Sequence, residues 1–221
     1  MHTSVIHLHD PGQPEPARWD PETITPPAPE RQAPVRQTPL PTIGPYPPLF
    51  AVLGAHGGAG TSTLARWWAH SADTGLAWPS SVRTTQRVIV AARDCIPGLT
   101  AAADRLREWH GGLAPGGIEV LGLVVTPARP GKVPSAVRRY RQIVADLVEG
   151  AIWSIQWHDE LIVCELNELA QYTPNDPPPP RRRTTLSNAV PIDVHRAGAA
   201  ITARVAATRA HLNDGEPGNP R

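Results

Sequence analysis

Lysine is almost missing from this sequence: of 21 basic residues, Lys132 alone is not arginine. Cysteine is nearly as scarce. Cys95 and Cys164 are the only two, which excludes a disulfide framework or a set of zinc fingers. Both read as small buried hydrophobes in a reducing compartment. A dominant charge is also lacking, because 21 basic and 20 acidic residues leave a net charge of +1. Bulk electrostatics therefore do not indicate direct DNA binding. Nor is there a long apolar run: the longest, such as Val120–Val125, are strand-sized, short of the roughly 18 residues that span a bilayer. Met1–Asp10 has no charged region leading into an apolar core, so no signal peptide is read there and a cytoplasmic protein is expected.

Proline is abundant instead, with 27 residues, about half of them before residue 49. Residues 1–47 alternate proline with Glu, Arg, Gln and Thr and hold few aliphatics, too little apolar surface to offset the entropy of ordering. They are expected to form a disordered arm, with His2, His7 and His9 solvated rather than clamping a metal. Residues 173–190, with Pro177–Pro180 followed by Arg181–Arg183, read as an extended linker, or alternatively as a basic or docking patch for a partner. Residues 191–212 read as an amphipathic helix and 213–221 as a disordered tail.

Residues 48–172 alternate strand and helix. Pro48–Ala55, Arg87–Ala92, Ile118–Thr126 and Ile152–Gln156 are short apolar runs that suit buried parallel strands. Helices are expected at Thr61–Ser71, Gly98–His110, Pro134–Glu149 and Glu160–Tyr172. In the third of these, Val137, Tyr140, Val144, Leu147 and Val148 recur at helical spacing opposite Arg138, Arg139 and Arg141. The fold class is therefore α/β: a shortened, mostly parallel sheet flanked by helices. Val194, Ala197, Ile201, Val205, Thr208 and Leu212 form a terminal stripe that packs onto the sheet or serves as an interface.

The chemistry lies in one segment, Gly54–Thr63, between the first strand and the first helix. Gly57, Gly58 and Gly60 let the backbone curl so that its amides converge on one spot, a nest for a phosphate. Ser62 and Thr63 place hydroxyls where a magnesium ion or a phosphate oxygen would sit. A tight strand-to-helix turn with no ligand is the alternative.

At this loop the chain resembles the ParA/MinD family of P-loop ATPases, whose deviant Walker A loop reads Lys-Gly-Gly-x-Gly-Lys-Thr-Thr. The matching stretch is His56, Gly57, Gly58, Ala59, Gly60, Thr61, Ser62 and Thr63. By this resemblance these eight residues would bind the phosphates of ATP or another nucleotide, and Ser62 would coordinate Mg2+. The likeness runs more loosely through Arg87–Ala101, Ile118–Thr126 and Ile155–Trp157. It implies roles in DNA partitioning, positioning of assemblies or maintenance of mobile elements, with a homodimer or another protein as partner.

The departures are informative. His56 and Thr61 stand where the family has lysines, and Lys132 is far along the chain. Charge neutralisation is most of phosphoryl-transfer catalysis, so efficient hydrolysis is not expected and no catalytic residue is assigned. His56 could still donate to a phosphate, or close the strand end. Arg66 and Arg93 are the nearest substitutes for the lysine by sequence. The family's two aspartate-bearing strands have no clear counterpart: residues 72–86 offer Asp73 without an apolar run, leaving Asp94 as the acid at a sheet edge. Trp67, Trp68, Trp153 and Trp157 read as core residues or as platforms for a base, and Trp157–Glu160 forms no catalytic dyad. The expected function is weak binding of a nucleotide or phosphate ligand by a switch or adaptor. The alternatives are an interaction scaffold and a slow NTPase that uses arginine.

Overall fold

A computed structural model of the protein describes residues 23–42, 46–180 and 184–214. In chain order it contains β1 (Val35–Arg36), β2 (Phe50–Gly54), α1 (Thr61–Trp67), β3 (Ser71–Gly75) and β4 (Trp78–Pro79). These are followed by β5 (Arg87–Arg93), α2 (Ile96–His110), β6 (Glu119–Thr126), α3 (Ser135–Asp146), β7 (Ile152–Ser154) and α4 (Ile192–Asp214). The main sheet has five strands in the order β3-β2-β5-β6-β7, and every neighbouring pair is parallel. The protein is an α/β structure with helices on both faces of this sheet.

The period of two along each strand decides which helices cover which face. Ala51, Leu53, Val88, Val90 and Ala92 point into one layer with Leu99, Ala102 and Leu106 of α2 and Val137 and Val144 of α3. Phe50, Val52, Ile89 and Ala91 point into the other, against Leu64 and Trp67 of α1 and Val194, Ala197, Ile201 and Val205 of α4. Each fully buried aliphatic side chain contributes roughly 1.5–3 kcal/mol, so these two layers hold the fold. The Val194, Ala197, Ile201 and Val205 part of the terminal stripe thus packs on the sheet.

Three expectations need correction. Residues 23–42 are not a disordered arm. They form a strap over α2, with Ile24 and Leu40 buried and β1 paired in parallel with β4. Polar groups that composition cannot reveal hold the strap: Arg31 pairs with Asp104, and Glu108 accepts the Ala33 N–H and, at 2.7 Å, the Trp78 indole N–H. Residues 1–22 of the expected arm, with its histidines, and residues 43–45 lie outside the described residues, as do Arg181–Arg183 and residues 215–221.

The expected helix at Thr61–Ser71 ends at Trp67 instead. Trp68 turns extended, is fully buried, and donates its indole N–H to the Val194 carbonyl at 3.1 Å. That turn frees Ser71–Gly75 to pair with β2 as an edge strand, although the sequence there carries no apolar run.

The expected helix at Glu160–Tyr172 is two short 3-10 turns, Asp159–Ile162 and Leu166–Glu168. The β-branched pair Ile162 and Val163 disfavours helix, and Glu165 begins a new turn through a capping box with Glu168.

Candidate functional site

In the sheet order, β2 and β5 are neighbours whose following connections run to opposite faces, β2 into α1 and β5 into α2. The crevice at the carboxyl ends of such a pair is where open α/β sheets hold ligands. The Gly54–Thr63 loop lies there. Gly58 and Gly60 have φ of +79° and +91°, the left-handed region that a side chain disfavours, and they curl the loop around Ala59. Ala59 is buried, and its carbonyl accepts the Thr126 hydroxyl at 3.0 Å, pinning the loop to the end of β6. The Leu64 N–H to Gly60 carbonyl bond opens α1, so the Thr61, Ser62 and Thr63 amides have no acceptor within the helix.

The structure sorts the eight loop positions into different tasks. His56 closes the strand end: its Nε2 accepts the Arg93 backbone N–H at 3.1 Å, leaving Nδ1–H to donate to the Gly57 carbonyl at 2.8 Å. Both ring nitrogens are thereby engaged, and neither is left to donate to a phosphate. A Cβ at Gly98 would collide with the Arg93 carbonyl and come within 3.0 Å of His56 Nε2, so glycine there lets α2 approach the loop. Thr61 lays its methyl group over Gly54 and supplies no charge. Ser62 is exposed and donates its hydroxyl to Asp73 Oδ2 at 2.6 Å, while Oδ1 of the same carboxylate accepts the Gly75 N–H at 2.7 Å. Thr63 lines the neighbouring cavity. Gly57 and Gly58 have open space around them.

Asp73 is the acid that sequence reading undervalued. Its signal was weak because β3 is an edge strand with no apolar run, recognisable only by its ladder to β2. Asp94 has a different task. Its side chain is 5% exposed and bonds Arg141 of α3 at 2.6 Å, tying α3 to the end of β5. Burial pushes the Asp94 carboxyl above its usual range, and Arg141 opposes that shift.

The two arginine candidates also separate. Arg66 points its guanidinium at the Asn167 and Leu169 carbonyls, at 2.7 and 3.1 Å, and so serves the segment after β7. Arg93 grips the loop itself, through Nε to the Gly58 carbonyl and NH1 to the Pro127 carbonyl, both at 2.7 Å.

Beside the loop lies a cavity of about 160 Å³ between α1 and the segment after β7, lined mainly by Thr63, Leu64, Trp67, Arg93, Ile155 and Trp157. Trp67 forms its buried wall, 2% exposed, and its indole N–H has no hydrogen-bond partner among the described residues. Trp68 is core and Trp153 packs against the α1/α4 layer, whereas Trp157 is at the rim with its N–H bonded to Asp159 at 2.6 Å. Asp193 at the start of α4 anchors this rim, accepting the Gln156 N–H at 2.7 Å and bonding His158 at 3.2 Å. Burial would raise the Asp193 carboxyl, but these bonds outweigh it and hold the group below its usual range.

A hard divalent cation such as Mg2+ takes oxygen ligands, few of them from protein when phosphates and waters complete the shell. The Ser62 hydroxyl and Asp73 carboxylate fit that donor type. Among the described residues no group of three or more His, Cys, Asp or Glu side chains could cage a metal unaided. No helix among them is long and apolar enough to cross a membrane. Comparison with known proteins returned no match: no family model, curated protein or solved structure is detectably similar to the chain.

Proposed function

We propose that this chain is a degenerate P-loop protein of the ParA/MinD type that binds a nucleotide or another phosphate-bearing ligand weakly and acts as a switch or adaptor. The observation that carries the reading is the Ser62–Asp73 pair at 2.6 Å, set beside a glycine loop at the switch point of a parallel sheet. A hydroxyl at the start of α1 and a carboxylate on β3 are the kind of donors that Mg2+ takes from protein when phosphate oxygens supply others. Bound there, Mg2+ would neutralise phosphate charge. The loop amides would orient the phosphate, and the apolar cavity beside Trp67 would exclude water from the rest of the ligand.

Weak binding follows from chemistry. With Thr61 in the lysine position, the loop itself carries no ammonium, and His56 is engaged with backbone. Efficient turnover is not part of this reading. Partitioning of DNA, positioning of an assembly or maintenance of a mobile element are the processes it suggests, through a protein partner or a second copy of the chain.

A second reading, an interaction scaffold without nucleotide, draws on the exposed apolar residues after β7, where Ile162 and Val163 are 74% and 82% exposed and Ile162 shares a cavity rim with Trp157. Thermal-shift titration separates the two. Millimolar Mg-ATP, Mg-GTP or ADP should raise Tm if the folded state binds any of them, and an unchanged Tm with all three favours the scaffold.

A further inference from the structure

We propose that Arg93 supplies the positive charge absent from the loop, binding a phosphoryl oxyanion where the loop meets the cavity that Arg93 shares with Gly60 and Thr63. This rests on the phosphate reading above and assigns the residue that makes it electrostatically workable.

Arg93 ends β5, on the strand beside the loop-bearing β2. Its backbone N–H is held by His56 and its side chain by the Gly58 and Pro127 carbonyls, so the guanidinium is fixed at two of its three nitrogens before any ligand arrives. Pre-ordering lowers the entropy lost on binding, and the planar fork suits phosphate oxygens. The NH2 nitrogen bonds to no described residue. Arg93 also lines two cavities, the one beside Trp67 and a groove of about 430 Å³ with His56, Cys95 and Gly98.

Arg93 shares with Arg66 and Arg138 a guanidinium bonded only to carbonyls, but of these three it is the one that bonds the loop. Arg31, Arg87, Arg105 and Arg141 each have a carboxylate partner. Arg93 has carbonyl partners only, and no carboxylate among the described residues forms an ion pair with it. Arg66 is spent on the carbonyls of residues 167 and 169 and cannot substitute. An unpaired, pre-positioned cation beside an amide-rich loop attracts an anion with several charged oxygens.

The test is calorimetric titration of the full chain with inorganic pyrophosphate, ATP and adenosine in the presence of Mg2+, with a wild-type labelling arm. Arg93→Gln should raise Kd for pyrophosphate and ATP at least tenfold and leave any adenosine affinity unchanged. Thr61→Lys in the Arg93→Gln background should restore the loss, because the charge then returns from the other side of the loop. Phenylglyoxal should modify Arg93 in the free protein, and saturating pyrophosphate or ATP should protect it, a readout independent of how any variant folds.

An unchanged Kd in Arg93→Gln, a loss that Thr61→Lys does not restore in folded protein, or Arg93 labelling indifferent to bound ligand would overturn the assignment. Failure of both wild type and Thr61→Lys to bind either phosphate ligand would overturn the phosphate reading itself. Wild-type binding that ignores Arg93 would remove only the arginine's role. Binding of pyrophosphate as well as ATP identifies the oxyanion as the recognised group, and binding of ATP alone identifies a nucleotide.

Discussion

Ser62 Oγ lies 2.6 Å from Asp73 Oδ2 because β3 returns in parallel beside β2 and brings its central residue level with the start of α1. Substituting Asp73→Asn keeps a side chain of the same shape and removes the charge. The Mg2+-dependent part of any ADP- or ATP-induced gain in Tm should then vanish. The ligand-free Tm should move by no more than about 2 °C, since a half-exposed substitution typically changes stability by about 0.5 kcal/mol or less. Thermal melts with Mg2+ and with EDTA check this.

Thr61→Lys should strengthen nucleotide binding. A charged donor at the phosphates is worth on the order of 1.5–3 kcal/mol, or about ten- to a hundredfold in Kd. Titration of both proteins with ADP decides it. No gain in a folded variant counts against a phosphate nest in this loop.

Glu108 is 1% exposed and holds three partners at once, the Trp78 indole, the Ala33 N–H and Arg105. Burial raises its carboxyl pKa, and the bonds from Trp78, Ala33 and Arg105 pull the other way. Removing it leaves buried donors and Arg105 uncompensated, so Glu108→Ala should cost about 3–5 kcal/mol in urea unfolding. The strap should also become sensitive to protease near residues 31–36. Arg31→Ala should cost less, about 1–3 kcal/mol, since Arg31 is half exposed but its partner Asp104 is buried.

His70 is held at a pKa of about 4, chiefly by burial, partly opposed by the Tyr172 backbone carbonyl and the charge of Asp176. It sits between Phe50 and Tyr172 and bonds Thr202 of α4 at 3.2 Å. Because the unfolded chain takes up this proton near pH 6.5 and the folded one only near 4, the unfolded state binds more protons in between. Stability should therefore fall as pH drops from 6.5 towards 4. Denaturation curves at pH 7 and 4.5 should show a smaller loss for His70→Asn than for wild type, even if that variant starts less stable. An equal loss in both would rule out His70 as a source of the slope.

Much of the fold was legible where burial writes itself into the residues. Arg87–Ala92 and Ile118–Thr126 read as strands, within a residue of those observed, because both faces of a central parallel strand are covered, leaving continuous apolar, largely β-branched runs. β3 did not, because an edge strand of Ser, Ala, Asp, Thr and Gly owes its form to the ladder with β2. The strap was misread for a related reason. Its attachment depends on Asp104, Glu108 and Trp78, up to 75 positions away, and proline content alone says nothing of such partners.

From the amino-acid order alone come the parallel α/β class, the glycine loop between strand and helix, and the lack of an ammonium within that loop, since all three are local properties of pattern and composition. Which acid meets Ser62, that His56 is occupied by backbone, and which arginine stands over the loop were decided only by tertiary structure. Each depends on how neighbouring strands align their carboxyl ends, and that alignment is set by packing between segments far apart in the chain.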